Sequence, residues 1–269
     1  MCGRYVTVSK LKTIEKRFDV QAQKPEKYIH NTNISHGNLA PIITNKAPKS
    51  LQFFQFGFTP FWAKKQFYMI NARGEGDFNK DDNTQYSGQQ GIVNKPMFRK
   101  SIRSQRCLVV ADAFIEGPKK EKLSEPYLVY LRNQQRPFAF AGIWDEWVNQ
   151  STGEIVYSFA IITTVSNEIT SKIRHHRSPV VLRKEDEARW LQSDLPLQEV
   201  TSLLKPYPSE EMNAYPISVD IKNPRANGLV LLEPIGERIF PEYNYTIEEN
   251  LKLYGMGESP ARNRRNEGR

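Results

Sequence analysis

Cysteine and histidine are scarce in this 269-residue chain, which has two of the former and four of the latter. Cys2 and Cys107 cannot complete a tetrahedral metal site alone, and His30, His36, His175 and His176 show no ligand spacing with either. No metal and no other cofactor is expected. A structural disulfide between two lone cysteines is equally unexpected in a reducing cytosol. Long apolar runs are also missing. Nothing approaches the roughly 18 residues that span a bilayer, and the opening MCGRYVTVSKLKTIEKRF lacks the apolar centre of a secretory signal. A cytoplasmic protein without membrane association is expected.

Acidic side chains are in deficit, 30 against 38 Lys and Arg, for a formal net charge of +8. That balance favours a polyanionic partner without proving one. Residues 255–269 carry four arginines and two glutamates and read as a basic, disordered tail. Most of the excess charge therefore belongs to the body of the chain, residues 2–254, in which no repeat and no sharp linker is visible.

The apolar pattern is mainly that of strands. Segments 51–58, 67–70, 106–115, 127–131, 138–143 and 157–163 are rich in Val, Ile, Phe and Tyr and are separated by polar turns. Ser9 is placed to cap a short helix with Leu11, Ile14 and Phe18 on one face. Further helices are expected at 184–191, where acidic residues fill the first turn, and at 197–204 and 247–254. Residues 28–41 and 74–94 read as loops. The pattern predicts a single α+β domain, mostly antiparallel, with a barrel-like β core and peripheral helices.

Cys2 stands directly after Met1. Its side chain is small enough for aminopeptidase removal of Met1, which would leave a terminal cysteine with a free amine and a free thiol. Their ordinary pKa values, about 7.7–8.0 and about 8.5, leave both partly deprotonated near neutrality. Such a 1,2-aminothiol condenses with an aldehyde to an imine, and the thiol closes the imine to a five-membered thiazolidine. Taken alone, "MC" reads better as an incidental small residue at a frayed terminus, and the motifs that follow change that balance.

Three further motifs accompany MCGRY: NARGE at 71–75, RCLVVADAFIEG at 106–117 and HHRSPVVL at 175–182. GFTPFW at 57–62, MFRKSI at 97–102 and FAFAGIWDEW at 138–147 support them in the same order. Together they resemble the SRAP family, the SOS-response-associated peptidase domain of abasic-site processing proteins, from Cys2 to about Tyr254. The resemblance implies that Cys2 forms a thiazolidine with the ring-opened sugar of an abasic site in single-stranded DNA. It implies that Asn71 positions the cysteine, that Glu116 moves protons, and that His175, or its neighbour His176, assists the Schiff-base chemistry. Arg4 and Arg73 are the first candidates for phosphate contacts, with Arg99, Arg103, Arg106 and Arg177 extending a basic track. Phe61 and Trp62 are candidates for stacking on bases, whereas Phe56 and Phe58, at alternate positions, read better as core. The chain departs from the family pattern at Phe56, Val110, Gly117 and Ser178, which stand where Trp, Pro, Trp and Met are usual.

The residues themselves fit those roles. Imine formation needs a group to take a proton from the amine and one to return it to the departing hydroxyl. Glu116 follows the apolar run 108–115, where burial would raise its pKa, although an exposed strand end is an equal alternative. His175 lies in a basic run, 172–177, that would depress its pKa, and its bland alternative is a solvated surface ring. Asn71 could equally be a turn residue, and Cys107 reads as a small buried apolar side chain. Three other functions remain open: an N-terminal-nucleophile amidohydrolase, which would need a glutamine pocket; a peptidase that releases Met1; and a non-covalent single-strand-binding module. A monomer acting on single-stranded DNA with abasic sites is the expectation.

Overall fold

The computed structural model describes residues 3–119, 123–132 and 135–242. In chain order its first strands are β1 (Arg4–Thr7), β2 (Gln21–Ala22), β3 (Asn31–Ile34), β4 (Leu39–Thr44), β5 (Ser50–Phe56) and β6 (Asn71–Arg73). There follow β7 (Arg106–Ala111), β8 (Ala113–Glu116), β9 (Tyr127–Leu131), β10 (Phe138–Val148) and β11 (Ile155–Val165). Short β12 (Arg177–Pro179) and β13 (Met212–Pro216) complete the set. The helices are α1 (Leu11–Phe18), α2 (Ser101–Ser104), α3 (Glu168–Lys172), α4 (Lys184–Leu191) and α5 (Leu197–Ser202).

Strands β5, β4, β7, β10 and β11 pair antiparallel in that order, and β11 then meets β5 in parallel through Ser158↔Gln55 and Phe159↔Phe56. This closes a five-stranded barrel and leaves its members no free edge. Beyond that junction β11 carries β6 in parallel and β12 antiparallel. A second, wholly antiparallel sheet runs β13-β9-β8-β1-β3. The expected α+β class with a barrel-like, mostly antiparallel core is what the chain adopts.

Side-chain alternation explains why the barrel strands read as continuous apolar runs. Cys107, Val109 and Ala111 join one core with Phe56, Phe140 and Phe159. Their neighbours Leu108 and Val110 join a second core with Ala139, Ala141, Ile162 and Trp190, under the helices. With both faces buried, neither set of alternate positions needs to be polar. Burial also pushes the Cys107 thiol well above its ordinary pKa.

Several local expectations are corrected. Ser9 does not cap α1, since Lys10 holds the N-cap position without a side-chain bond, and the Ser9 hydroxyl donates to Asp112. The same carboxylate accepts from the backbone N–H of Val8 at 2.6 Å and of Ser9 at 2.8 Å. Asp112 thereby splits the expected strand 106–115 into β7 in the barrel and β8 in the second sheet. Residues 67–70 contribute only a bridge from Met69 to Phe58, and the strand begins at Asn71. The stretch 28–41 is not all loop, because β3 and the start of β4 lie within it. The expected helix 247–254 and the tail 255–269 lie outside the described residues. Among the described residues no helix is long and apolar enough to cross a membrane.

Candidate active site

β1 and β8 run antiparallel with Arg4 opposite Ile115, which brings the start of β1 to the end of β8. A cleft of about 290 Å³ opens there, with Gly3, Arg4, Glu116, Gly117, Lys119 and His175 in its walls. Cys2 lies outside the described residues, but Gly3, bonded to it in sequence, is part of that wall.

Glu116 is buried, and burial pushes its carboxyl up to about 7. His175 is brought beside it by a capped turn. Asn167 and Thr170 form a reciprocal capping box at the start of α3, Arg174 takes a left-handed φ of 58°, and the His175 N–H donates to Thr170 O at 2.8 Å. The imidazole is then fixed by a 2.7 Å bond between Nδ1 and the Gly117 carbonyl. A carbonyl only accepts, so Nδ1 carries the proton and Nε2 the lone pair. Burial holds the ring down at about 4, hence neutral at pH 7. The 3.4 Å separation between Nδ1 and Glu116 Oε2 is therefore not an ion pair, because the ring opposite the carboxyl is uncharged. Gly117 has no room for the family's usual Trp, since a Cβ there would stand 2.9 Å from the Glu125 carbonyl.

Asn71 is buried on β6, opposite Ile161 of β11. It follows Ile70, which lines the cleft. Arg4 lines the cleft as well and donates from Nη1 to Asn33 Oδ1 and from Nη2 to the Lys222 carbonyl, both at 2.7 Å.

The basic track is not continuous. Arg106 is fully buried and donates to four backbone carbonyls, of Trp190, Ile102, Arg103 and Gln192. Arg177 is 1% exposed, with Nη2 2.7 Å from Glu75 Oε2. As folded, neither offers a surface to DNA. Arg73 is partly open and pairs with Asp82 at 2.9 Å, while Arg99 and Arg103 are exposed. Trp62 and Phe61 are each 50% exposed, whereas Phe56 and Phe58 are core, as expected. The Phe61–Trp62 turn is pinned from both sides, by Phe61 N–H to Asp145 Oδ2 at 2.9 Å and by Trp147 Nε1 to the Ala63 carbonyl at 2.7 Å.

Sequence reasoning missed His36 and Lys119 in the cleft wall, and Glu75 and Asp82 as carboxylates facing the arginines. Only NARGE held a signal for Glu75. His36 and Asp82 sit in stretches whose composition says no more than loop. Among the described residues no three His, Cys, Asp or Glu side chains are placed to hold a metal ion.

A barrel with this cleft at its side, and the motifs that line it, define a family. The family model for SOS response associated peptidase (SRAP) matches residues 1–224, and the chain belongs to that family. Among its relatives, abasic site processing protein YoqW of Bacillus subtilis (strain 168) is 33% identical over 240 residues, covering 87% of this chain and 99% of YoqW. Abasic site processing protein HMCES of Gallus gallus is 28% identical over 235 residues, covering 78% of this chain and 65% of its own. A crystal structure of a Bacteroides thetaiotaomicron protein superposes with a TM-score of 0.73 at 29% identity, covering 87% of this chain and 99% of that one.

Proposed function

We propose that this protein captures abasic sites in single-stranded DNA by joining Cys2 covalently to the damaged sugar. The observation that carries this reading is the cleft beside Gly3, where a buried carboxyl near pKa 7 faces a neutral imidazole. The names of the YoqW and HMCES relatives support the substrate.

With Met1 removed, the Cys2 amine adds to the aldehyde carbon of the ring-opened sugar. The resulting carbinolamine loses water to give the imine, and the thiol sulfur then adds to the imine carbon. The thiol proton ends on the ring nitrogen, so one water leaves and no oxidant or reductant is required. Glu116 is the group suited to exchange protons, because a carboxyl near pKa 7 is half ionised at neutrality and works in both directions. His175 stays neutral and offers Nε2 as an acceptor to the amine or the sugar hydroxyls. Asn71, on β6, positions Cys2. Arg4, Arg73 and Arg99 contact phosphates, and Trp62 stacks on a base. Residues 2–254 form one domain, acting as a monomer and without a cofactor, and 255–269 follow as a basic tail.

Purified, Met1-free protein mixed with single-stranded DNA carrying one abasic site will give a slow-migrating adduct on a denaturing gel without added reductant. Cys2→Ala and undamaged DNA will give none. Absence of an adduct from protein shown by mass spectrometry to begin at Cys2 overturns the proposal.

A further inference from the structure

Next to the cleft, four basic side chains converge on one carboxylate. Asp82 Oδ1 lies 2.9 Å from Arg73 Nη2 and 3.9 Å from Arg177 Nη1. Its Oδ2 lies 3.2 Å from Lys119 Nζ and 3.4 Å from His176 Nε2. Lys119 is shared, because it also lines the cleft. A strand leaving the cleft past Lys119 would meet this cluster next.

The carboxylate satisfies the cluster poorly. Arg177 Nη1 and Asp82 Oδ1 are buried and have no hydrogen-bond partner among the described residues. Buried polar atoms are normally paired, so each such exception calls for an explanation. Oδ2 accepts a hydrogen bond from Lys119 at 3.2 Å, but Oδ1, although 2.9 Å from Arg73, accepts none among the described residues. A phosphodiester would carry the same single charge with four oxygens in a tetrahedron, a shape that Arg and Lys clusters recognise well.

The segment that delivers Asp82 is built as a separate excursion. Its neck is closed by Gly76, at a φ of 57°, packed on Gly91, where a Cβ on either residue would lie within 2.9 Å of the opposite backbone. Ile92 N–H to Gly74 O at 2.9 Å seals the base. Beyond the neck, residues 80–90 form no strand or helix. Asp82 itself takes a φ of 55°, a left-handed conformation that Asp and Asn tolerate.

We infer that Asp82 is an internal competitor of the DNA backbone: it holds the Arg73–Lys119–His176–Arg177 subsite closed and gives way to one phosphate of the bound strand. This deepens the DNA reading above and rests on it. It also accounts for Arg177, whose covered guanidinium becomes reachable only when Asp82 leaves. The apparent affinity for any strand is lowered by the fraction of molecules in which Asp82 stays home.

Asp82→Asn keeps the size and the left-handed backbone and removes the charge. It will bind an undamaged single-stranded oligonucleotide about fivefold to tenfold more tightly than wild type in fluorescence anisotropy. Asp77→Asn removes a charge from the same segment, where Asp77 is exposed and pairs with Lys95. It will change the affinity by less than about twofold, because exposed charges are screened. In wild type, amide hydrogen exchange over residues 78–86 will speed up when the oligonucleotide is added. Equal or weaker binding by folded Asp82→Asn, or slower exchange on DNA addition, overturns the inference while leaving the capture reading intact. If Asp82→Asn does not fold, the exchange measurement on wild type decides. Failure of wild type to bind the oligonucleotide at all overturns both readings.

Discussion

His175 and Arg177 leave the same short stretch of chain for different company. His175 meets the Gly117 carbonyl and the Glu116 carboxyl, where burial outweighs every other influence, and both titratable groups move toward neutrality. Arg177, on the other side of the strand, meets Glu75, Thr163 and Asp82, and its buried charge is matched by opposite charge. Burial is similar in the two places. Where desolvation dominates it yields a carboxyl and an imidazole tuned for proton exchange, whereas a close ion pair that offsets it yields a rigid strut. One tripeptide thus supplies a chemical group and the strut that holds its segment against β11.

The contrast is broken most severely at Arg177. Arg177→Met keeps the volume but leaves Glu75, 1% exposed, as an uncompensated buried charge. Thermal or urea unfolding at pH 7 will show a loss of about 3–5 kcal/mol. Adding Glu75→Gln to that variant will restore much of the loss, because a neutral pair has no charge to strand. Near-wild-type stability of Arg177→Met would mean that the pair is not the strut described.

The next effect is at Glu116. An acid whose folded pKa, about 7, stands above its unfolded value of 4.5 weakens the fold as pH rises through that interval. Glu116→Gln removes this penalty. The variant will match wild type near pH 4.5 and exceed it by up to about 3 kcal/mol above pH 7. Its rate of adduct formation will fall about a hundredfold, and the loss of wild-type rate as pH rises through about 7 will flatten. A pH-independent stability difference would show that the Glu116 carboxyl is not desolvated.

Legibility in the sequence followed how local each cause was. Tyr127–Leu131 and Lys184–Leu191 were readable to the residue, since an apolar, Tyr- and Val-bearing run between polar turns and an acidic first turn are local signals. The break at Asp112 was not, because its cause is a tertiary partner, the backbone N–H groups of Val8 and Ser9. β3 hid in an Asn-rich stretch because Asn33 is paid for by the distant carbonyls of Ile221, Asn223 and Ala226. At the site, the apolar run before Glu116 left burial and an exposed strand end equally open, and the fold buries the carboxyl and raises its pKa. The basic run around His175 predicted the right direction for the wrong main reason, since burial leads. Arg177 looked like surface charge because Glu75 lies 102 positions away.

The smallest expected effect separates the two counter-charges of Arg177. Glu75→Gln keeps an oxygen that can accept from Nη2 and removes only the charge. Arg177 would retain the Thr163 carbonyl at 2.9 Å, the Thr163 hydroxyl at 3.2 Å and Asp82 at 3.9 Å. The loss should therefore be about 1–2 kcal/mol, the scale of a weakened charged hydrogen bond rather than of an abandoned ion. If unfolding shows the full loss expected of Arg177→Met, Asp82 does not compensate Arg177, and its place at the cluster is steric. If the small loss is observed and Asp82→Asn on top of it brings the larger one, the two carboxylates share the guanidinium. One then serves the fold, and the other is exchangeable for a phosphate without stranding the charge.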